Sequence, residues 1–200
     1  MSENGTDKER RRFLTAAATV VGGAGTLAAA VPFVATMTPS AKTKAFGAPV
    51  EVDISELKPG ERMIVKWQGK PVWILRRPAD LLETIPELDG EVRDPKSEKE
   101  QQPDYAQNEY RSIKPEYLIV LGICTHLGCS PNYVTHEDAA SFNLSADWKG
   151  GFFCPCHGSR FDLAGRVFKG VPAPTNLVVP PHQYLSDTRV LIGDDSEVTA

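Results

Sequence analysis

Charge is absent from one long stretch of this chain: no Asp, Glu, Lys or Arg occurs from Phe13 to Ala41. Elsewhere neither sign dominates. The 200 residues carry 22 Lys and Arg against 26 Asp and Glu, a net charge of −4, which argues against a nucleic-acid partner. Cysteine is scarce, with four in all, too few for a disulfide-dense scaffold of this length. Histidine is equally scarce at four, so any clustering of the two residue types carries information. No internal repeat is present, which argues against solenoid and propeller arrays. What is left is room for one domain with appendages.

The uncharged stretch has its own logic. Residues 1–12 are polar and close on Lys8-Glu9-Arg10-Arg11-Arg12, and the segment that follows is rich in Ala, Val, Gly and Thr. A helix rises about 1.5 Å per residue, so roughly 20 residues cross a hydrocarbon core. The segment has that length and lacks the polar face that a helix on a soluble core keeps. A transmembrane helix is expected over 13–38, kinked by Pro32 near its outer end. Arginines ahead of it place residues 1–12 in the cytoplasm and the remainder of the chain outside. Arg10-Arg11-Arg12-Phe13-Leu14 also reads as a twin-arginine signal. Residues 39–48 are small, polar and short of apolar anchors, and read as a flexible tether to a head over 49–200.

The head reads as strands. Val50–Ile54 alternates apolar and polar residues. Met63–Trp67 and Pro71–Leu75, separated by Gln68-Gly-Lys70, predict a hairpin whose Trp67 and Trp73 supply core. Tyr117–Ile123 is a buried-strand signature that runs straight into Cys124. Ser159–Asp162 and Arg166–Phe168 suggest a second hairpin about Ala164-Gly165, and Asn176–Val179 and Arg189–Ile192 complete the strands. The pattern breaks over 79–115, where Asp80–Ile85 predicts a short helix capped by Asp80 and the charged, amide-rich Glu91–Tyr110 predicts a solvated insertion. Residues 130–151 read as a polar loop, with Tyr133 and Trp148 as loop packing. Gly170-Val-Pro-Ala-Pro174 reads as a stiff exposed loop. His136 and His182 read as ordinary surface residues. The fold class expected is all-β, an antiparallel sandwich behind one N-terminal transmembrane helix.

All four cysteines and two of the four histidines lie in Cys124-Thr-His126-Leu-Gly-Cys129 and Cys154-Pro-Cys156-His157-Gly-Ser159. Each box offers one Cys and one His as ligands, with a second Cys left over. Tetrahedral zinc with two Cys and two His leaves Cys129 and Cys156 without a role. A disulfide framework ignores both histidines. A [2Fe–2S] cluster with mixed Cys and His ligation plus one disulfide uses all six.

The boxes resemble those of Rieske iron–sulfur proteins. The extra Cys in each, the Arg-flanked helix, the tether and Gly170-x-Pro-Ala-Pro174 followed by Asn-Leu are similar to the bacterial-type Rieske subunit of ubiquinol–cytochrome c reductase (cytochrome bc) complexes. That resemblance implies a Rieske-type β-sandwich head with a cluster-binding part over about 119–174. It implies Cys124 and Cys154 on one iron, His126 and His157 on the redox-active iron, and a Cys129–Cys156 disulfide over the cluster. Ser159 matches the position that hydrogen-bonds a bridging sulfide, Leu127 the apolar contact of the quinol pocket, and His157, with His126, the catalytic pair where a quinol proton is accepted. Phe161 departs from the pattern, since many members carry a Tyr whose hydroxyl bonds a ligand sulfur.

The implied function is electron transfer from ubiquinol to a c-type cytochrome through one [2Fe–2S] cluster per chain. The implied setting is a dimeric complex with cytochrome b and a c-type cytochrome subunit, single-pass in a bacterial inner membrane with a periplasmic head. The Rieske subunit of an arsenite oxidase-type enzyme and a structural zinc module stand as alternatives.

Overall fold

The computed structural model describes residues 3–198; Met1, Ser2, Thr199 and Ala200 lie outside the described residues, and with them the extremities of the basic N-terminus and of the head. The chain divides into two compact units between Ala45 and Phe46. The first is dominated by α1 (Glu3–Thr36), long and apolar enough to cross a membrane. Its 34 residues extend roughly 50 Å. The helix takes in the arginine run, continues through Pro32 and stops at Thr36, two residues short of the expected end. From Asp7 onward every residue of α1 is exposed. Thr15, Thr19 and Thr26 turn their hydroxyls back onto the carbonyls of Arg11, Thr15 and Gly22, each at 2.8 Å. Those donors are therefore satisfied within the helix, as an apolar medium requires.

The stretch read as a flexible tether holds a second helix, α2 (Ala41–Phe46). Ser40 starts it, its Oγ accepting the Thr43 N–H at 3.2 Å. Ala41–Phe46 buries no side chain, and a helix this short without packing is marginal in water.

The head contains three antiparallel three-stranded sheets among its described residues. β1 (Val50–Asp53), β9 (Arg189–Ile192) and β8 (His182–Tyr184) form the first, in that order. β2 (Arg62–Trp67), β3 (Lys70–Arg76) and β4 (Tyr117–Leu121) form the second. The β2–β3 hairpin closes with Trp67 opposite Lys70, so its turn is Gln68–Gly69, one residue shorter than the loop expected. β5 (Asn132–Val134), β6 (Gly151–Phe153) and β7 (Arg160–Phe161) form the third.

The second sheet lies between two cores, because both of its faces are apolar. Val72 and Ile74 of β3, with Ile119 and Leu121 of β4, pack with Val52, Val190 and Ile192 of the first sheet. Trp73, Leu75, Leu118 and Val120 turn the other way and pack with Phe152, Phe161 and Leu163 of the cluster lobe. Strands buried on both faces read as unbroken apolar runs, which is why Val72–Leu75 and Tyr117–Leu121 stand out in the sequence. Trp73 stacks on Phe152 with ring centroids 5.2 Å apart. At the end of β4 the indole leaves no room for a side chain: a Cβ on Gly122 would overlap the Trp73 ring. This close approach sets where the chain enters the first box.

Several expectations need correction. The short helix appears as two single turns, α3 (Ala79–Leu82) and α4 (Thr84–Glu87). Pro78 occupies the N-cap position and Asp80 makes no cap, because it lies inside the first turn. Glu91–Tyr110 is not a solvated insertion. Val92, Ser97 and Ala106 are fully buried within it, and Arg111 just beyond it. Buried arginines tie this region to the lobe. Arg77 donates to the carbonyls of Tyr110, Pro115 and Leu163, and Arg111 to those of Ala164, Gly165 and Leu177. Burial pushes Arg77 down to about 9 and Arg111 to about 10, partly offset by Asp162, so both stay charged at neutral pH.

The 130–151 loop contributes β5 and the buried Trp148, whose Nε1 donates to the Val134 carbonyl at 3.0 Å. Residues 176–179 form no strand, although Leu177 and Val179 are buried. Val178 accepts from Leu121 and Val179 donates to Gln101, single bonds to two different segments. His182 is buried, with Nδ1 2.8 Å from the Pro180 carbonyl, whereas His136 is exposed as expected.

Candidate metal centre

The two boxes occupy equivalent loops at one end of the lobe, the first between β4 and β5, the second between β6 and β7. Their backbones repeat one another. In the first, the Cys124 N–H donates to the Cys129 carbonyl at 2.7 Å and the Gly128 N–H to the Cys124 carbonyl at 3.0 Å. In the second, Cys154 donates to Ser159 at 2.8 Å and Gly158 to Cys154 at 2.9 Å. Each turn closes through a glycine in the left-handed region, φ 82° at Gly128 and 74° at Gly158, a conformation side chains rarely adopt. The spacing Cys-x3-Gly, present twice, is the signal for this that box counting alone passes over.

The matched loops bring the six residues together. Cys124 and Cys154 are free, buried thiols. The imidazoles of His126 and His157 lie edge to face with centroids 4.8 Å apart, His157 exposed and His126 half-buried. Cys129 and Cys156 are joined in a disulfide with an S–S distance of 2.19 Å. The sulfurs of Cys129, Cys154 and Cys156 all lie within 4.8 Å of one another, so the disulfide lies directly against one thiol. Leu127 projects from the first loop at 71% exposure, an unusual position for a leucine with apolar cores available nearby.

The donor set suits a metal cluster better than it suits an empty site. Burial pushes the Cys124 thiol up, and Cys154 beside it pushes the same way, while the His126 N–H and the Ser159 hydroxyl pull it down. A buried thiolate is favourable only with a cation next to it. Nδ1 of His126 is buried and has no hydrogen-bond partner, a costly arrangement for an imidazole nitrogen unless that atom ligates a metal. Two buried thiols and an imidazole pair, carried on matched loops that one disulfide joins, are the donor types of a mixed-ligand [2Fe–2S] cluster.

Around these loops runs a support that the boxes do not announce. The Pro loop, Gly170–Pro174, is not uniformly exposed: Val171 and Ala173 are buried, and Pro172 and Pro174 are exposed. The Ala173 N–H donates to Ser159 Oγ at 3.0 Å. Thr125, between the first Cys and His, donates its hydroxyl to the Thr175 carbonyl at 2.6 Å. Under the second box, the turn after β7 is organised by a buried ion pair. Asp162 Oδ1 accepts from the Ala164 and Arg166 N–H groups at 2.9 and 2.8 Å, and Oδ2 from Arg166 Nε at 2.7 Å. Arg166 then reaches Asp89 at 2.6 Å and the Ile85 carbonyl. Phe161 is fully buried in the same core as Cys124 and Cys154.

Comparison with known proteins shows the family. The family model described as Rieske [2Fe-2S] domain matches residues 49–181, and the one described as Ubiquitinol-cytochrome C reductase Fe-S subunit TAT signal matches residues 1–40. The chain is 60% identical over 195 residues to the ubiquinol–cytochrome c reductase iron–sulfur subunit of Allochromatium vinosum, covering 98% of this chain and 93% of the relative. It is 43% identical to the same subunit of Blastochloris viridis, covering 96% and 97%. Among solved structures, a chain of a hyperthermophilic respiratory Complex III aligns with a TM-score of 0.48 at 25% identity, over 89% of this chain and 99% of that one. The chain belongs to the family of Rieske [2Fe–2S] iron–sulfur subunits of ubiquinol–cytochrome c reductase.

Proposed function

We propose that the head takes single electrons from ubiquinol and passes them to a c-type cytochrome, within a dimeric complex that also contains cytochrome b. In this reading residues 1–12 lie in the cytoplasm, residues 13–38 span a bacterial inner membrane, residues 39–48 join span to head, and the head from 49 onward faces the periplasm. Cys124 and Cys154 would hold one iron, and His126 and His157 the other. When bound, the cluster supplies one-electron exchange at high potential, because neutral imidazoles replace two thiolates. The exposed His157 ring hydrogen-bonds the quinol hydroxyl and accepts its proton. Ser159 stabilises negative charge on sulfur through its hydroxyl hydrogen.

The observation that carries this reading is the exposed tip, where the exposed His157 imidazole and an exposed Leu127 flank the half-buried His126. A leucine in water loses the stabilisation of burial, and it regains it when the tip enters an apolar quinol pocket. Replacing Leu127 by Ala is expected to lower quinol-driven cytochrome c reduction about fiftyfold, roughly the loss of three buried carbons. The cluster's electron paramagnetic resonance (EPR) signal stays intact. Full turnover in that variant would remove the support for a quinol-facing tip.

Phe161 bears on the potential. A hydroxyl added at this position by Phe161→Tyr, within reach of a ligand sulfur, favours the more negative reduced state. One such bond to a charged group is worth about 1.5 kcal/mol or more, which is an upward shift of roughly 65 mV or more for one electron. Redox titration of the EPR signal measures it, and an unchanged or lower midpoint would contradict the reading.

A further inference from the structure

The segment expected to be a solvated insertion is stapled along the edge of the cluster lobe. Val92 is buried and pairs with Phe168 in an isolated bridge. The Arg93 N–H donates to the Val167 carbonyl at 2.9 Å and the Lys169 N–H to the Glu91 carbonyl at 2.8 Å. Side chains extend the staple in both directions. Lys169 Nζ reaches back to the Gly90 carbonyl at 2.7 Å. Arg93 Nη2 reaches forward to the Val171 carbonyl, also at 2.7 Å. One turn further on, Asn176 Nδ2 donates to the Asp94 carbonyl at 3.1 Å.

Val171 is two residues before Ala173, whose N–H donates to Ser159 Oγ. Ser159 is fully buried. With an oxygen lone pair engaged by that N–H, its rotor is fixed and its own hydrogen is left for sulfur. Pro172 and Pro174 stiffen the strip between, so a carbonyl held at Val171 sets the position of the next amide. A continuous line thus runs from an exposed guanidinium on the insertion to the buried Ser159 hydroxyl of the second box.

We propose that Arg93 is a positioning residue for the cluster. By holding the Val171 carbonyl it keeps the Ala173 N–H on Ser159 Oγ and leaves the Ser159 hydroxyl hydrogen for a sulfur of the cluster. The role rests on the proposed reading in which these boxes hold the cluster and Ser159 faces its sulfur. It assigns to the insertion the tuning of the potential, without any contact between Arg93 and the ligands.

The test is a redox titration of the EPR signal in membranes holding the assembled complex, on full-length chains. Arg93→Ala is expected to lower the midpoint by less than Ser159→Ala does, and Arg93→Lys, which keeps a donor and the charge, to restore most of it. In the Ser159→Ala background, Arg93→Ala is expected to add no further shift. An unmoved midpoint in Arg93→Ala overturns the proposal. So does an equal downward shift in both backgrounds, since that is a charge acting directly through space. Arg93 is exposed, so the fold tolerates its truncation. A second readout needs no titration: hydrogen exchange at the Ala173 amide is expected to speed up about tenfold in Arg93→Ala, and unchanged exchange again overturns the proposal. If wild type and variants all lack a cluster signal, the ligand assignment fails and not the role of Arg93.

Discussion

Replacing Asp162 by alanine is expected to lower the stability of the head by about 3–5 kcal/mol. Asp162 and Arg166 are both fully buried. Removing the carboxylate leaves the guanidinium without its buried counter-ion, with only Asp89, half exposed, opposite it. The same change deletes the acceptor of two backbone N–H groups in the turn. That turn supports β7, whose partner β6 runs into the second box. Arg166 also anchors α4 through the Ile85 carbonyl, so the damage spreads into the insertion. For a domain of this size the thermal midpoint is expected to fall by roughly 10 °C or more. Asp162→Asn, which keeps an acceptor for the turn and loses the charge, is expected to fall between. A drop below about 1 kcal/mol in Asp162→Ala would mean that the pair is dispensable.

Removing the disulfide is expected to act on the cluster itself. The bridge joins Cys129 and Cys156 across a sequence separation of 27, and in the chain-entropy model a loop of that size contributes about 3–4 kcal/mol. Its local effect is larger than that figure suggests. The boxes are otherwise held to one another through the Pro loop, by Thr125 on the Thr175 carbonyl and Ala173 on Ser159. With Cys129 and Cys156 both replaced by Ala, the loops separate at the tip where the imidazoles converge. The head is expected to keep its sheets by circular dichroism and to lose most of its cluster, measured as iron and EPR spins per chain. Full occupancy with an unchanged thermal midpoint would show that the bond is incidental.

The elements that were legible in the sequence are those whose contacts lie close together in the chain or repeat with a period. β3 and β4 read as strands because both faces are buried, making Val72–Leu75 and Tyr117–Leu121 continuous apolar runs. The boxes read as a site because each gathers its ligands within six residues. What stayed illegible depends on partners far away. The charges of 79–111 look solvated until the carbonyls that Arg77 and Arg111 cap are found, some of them 50 to 90 residues on. His182 looks like a surface histidine because nothing local shows that Pro180 and Tyr105 enclose it; Tyr105 stands edge-on at 5.6 Å. Residues 176–179 have strand-like composition, yet their backbone hydrogen bonds go separately to Gly165, Leu121, Gln101 and the Arg111 side chain and form no ladder. The exposed tip at Leu127 follows from no pattern of composition and was anticipated only through resemblance.

The central claim, a mixed-ligand iron–sulfur centre on Cys124, Cys154, His126 and His157, is tested most directly by EPR of the full-length protein in its native membrane after reduction. The expected result is a signal from one unpaired electron, integrating to about one spin per chain with two irons per chain. That signal disappears in Cys154→Ser and is altered by nitrogen-15 labelling of histidine, which marks imidazole nitrogens on the paramagnetic iron. A protein with no such signal and one zinc per chain would contradict the account.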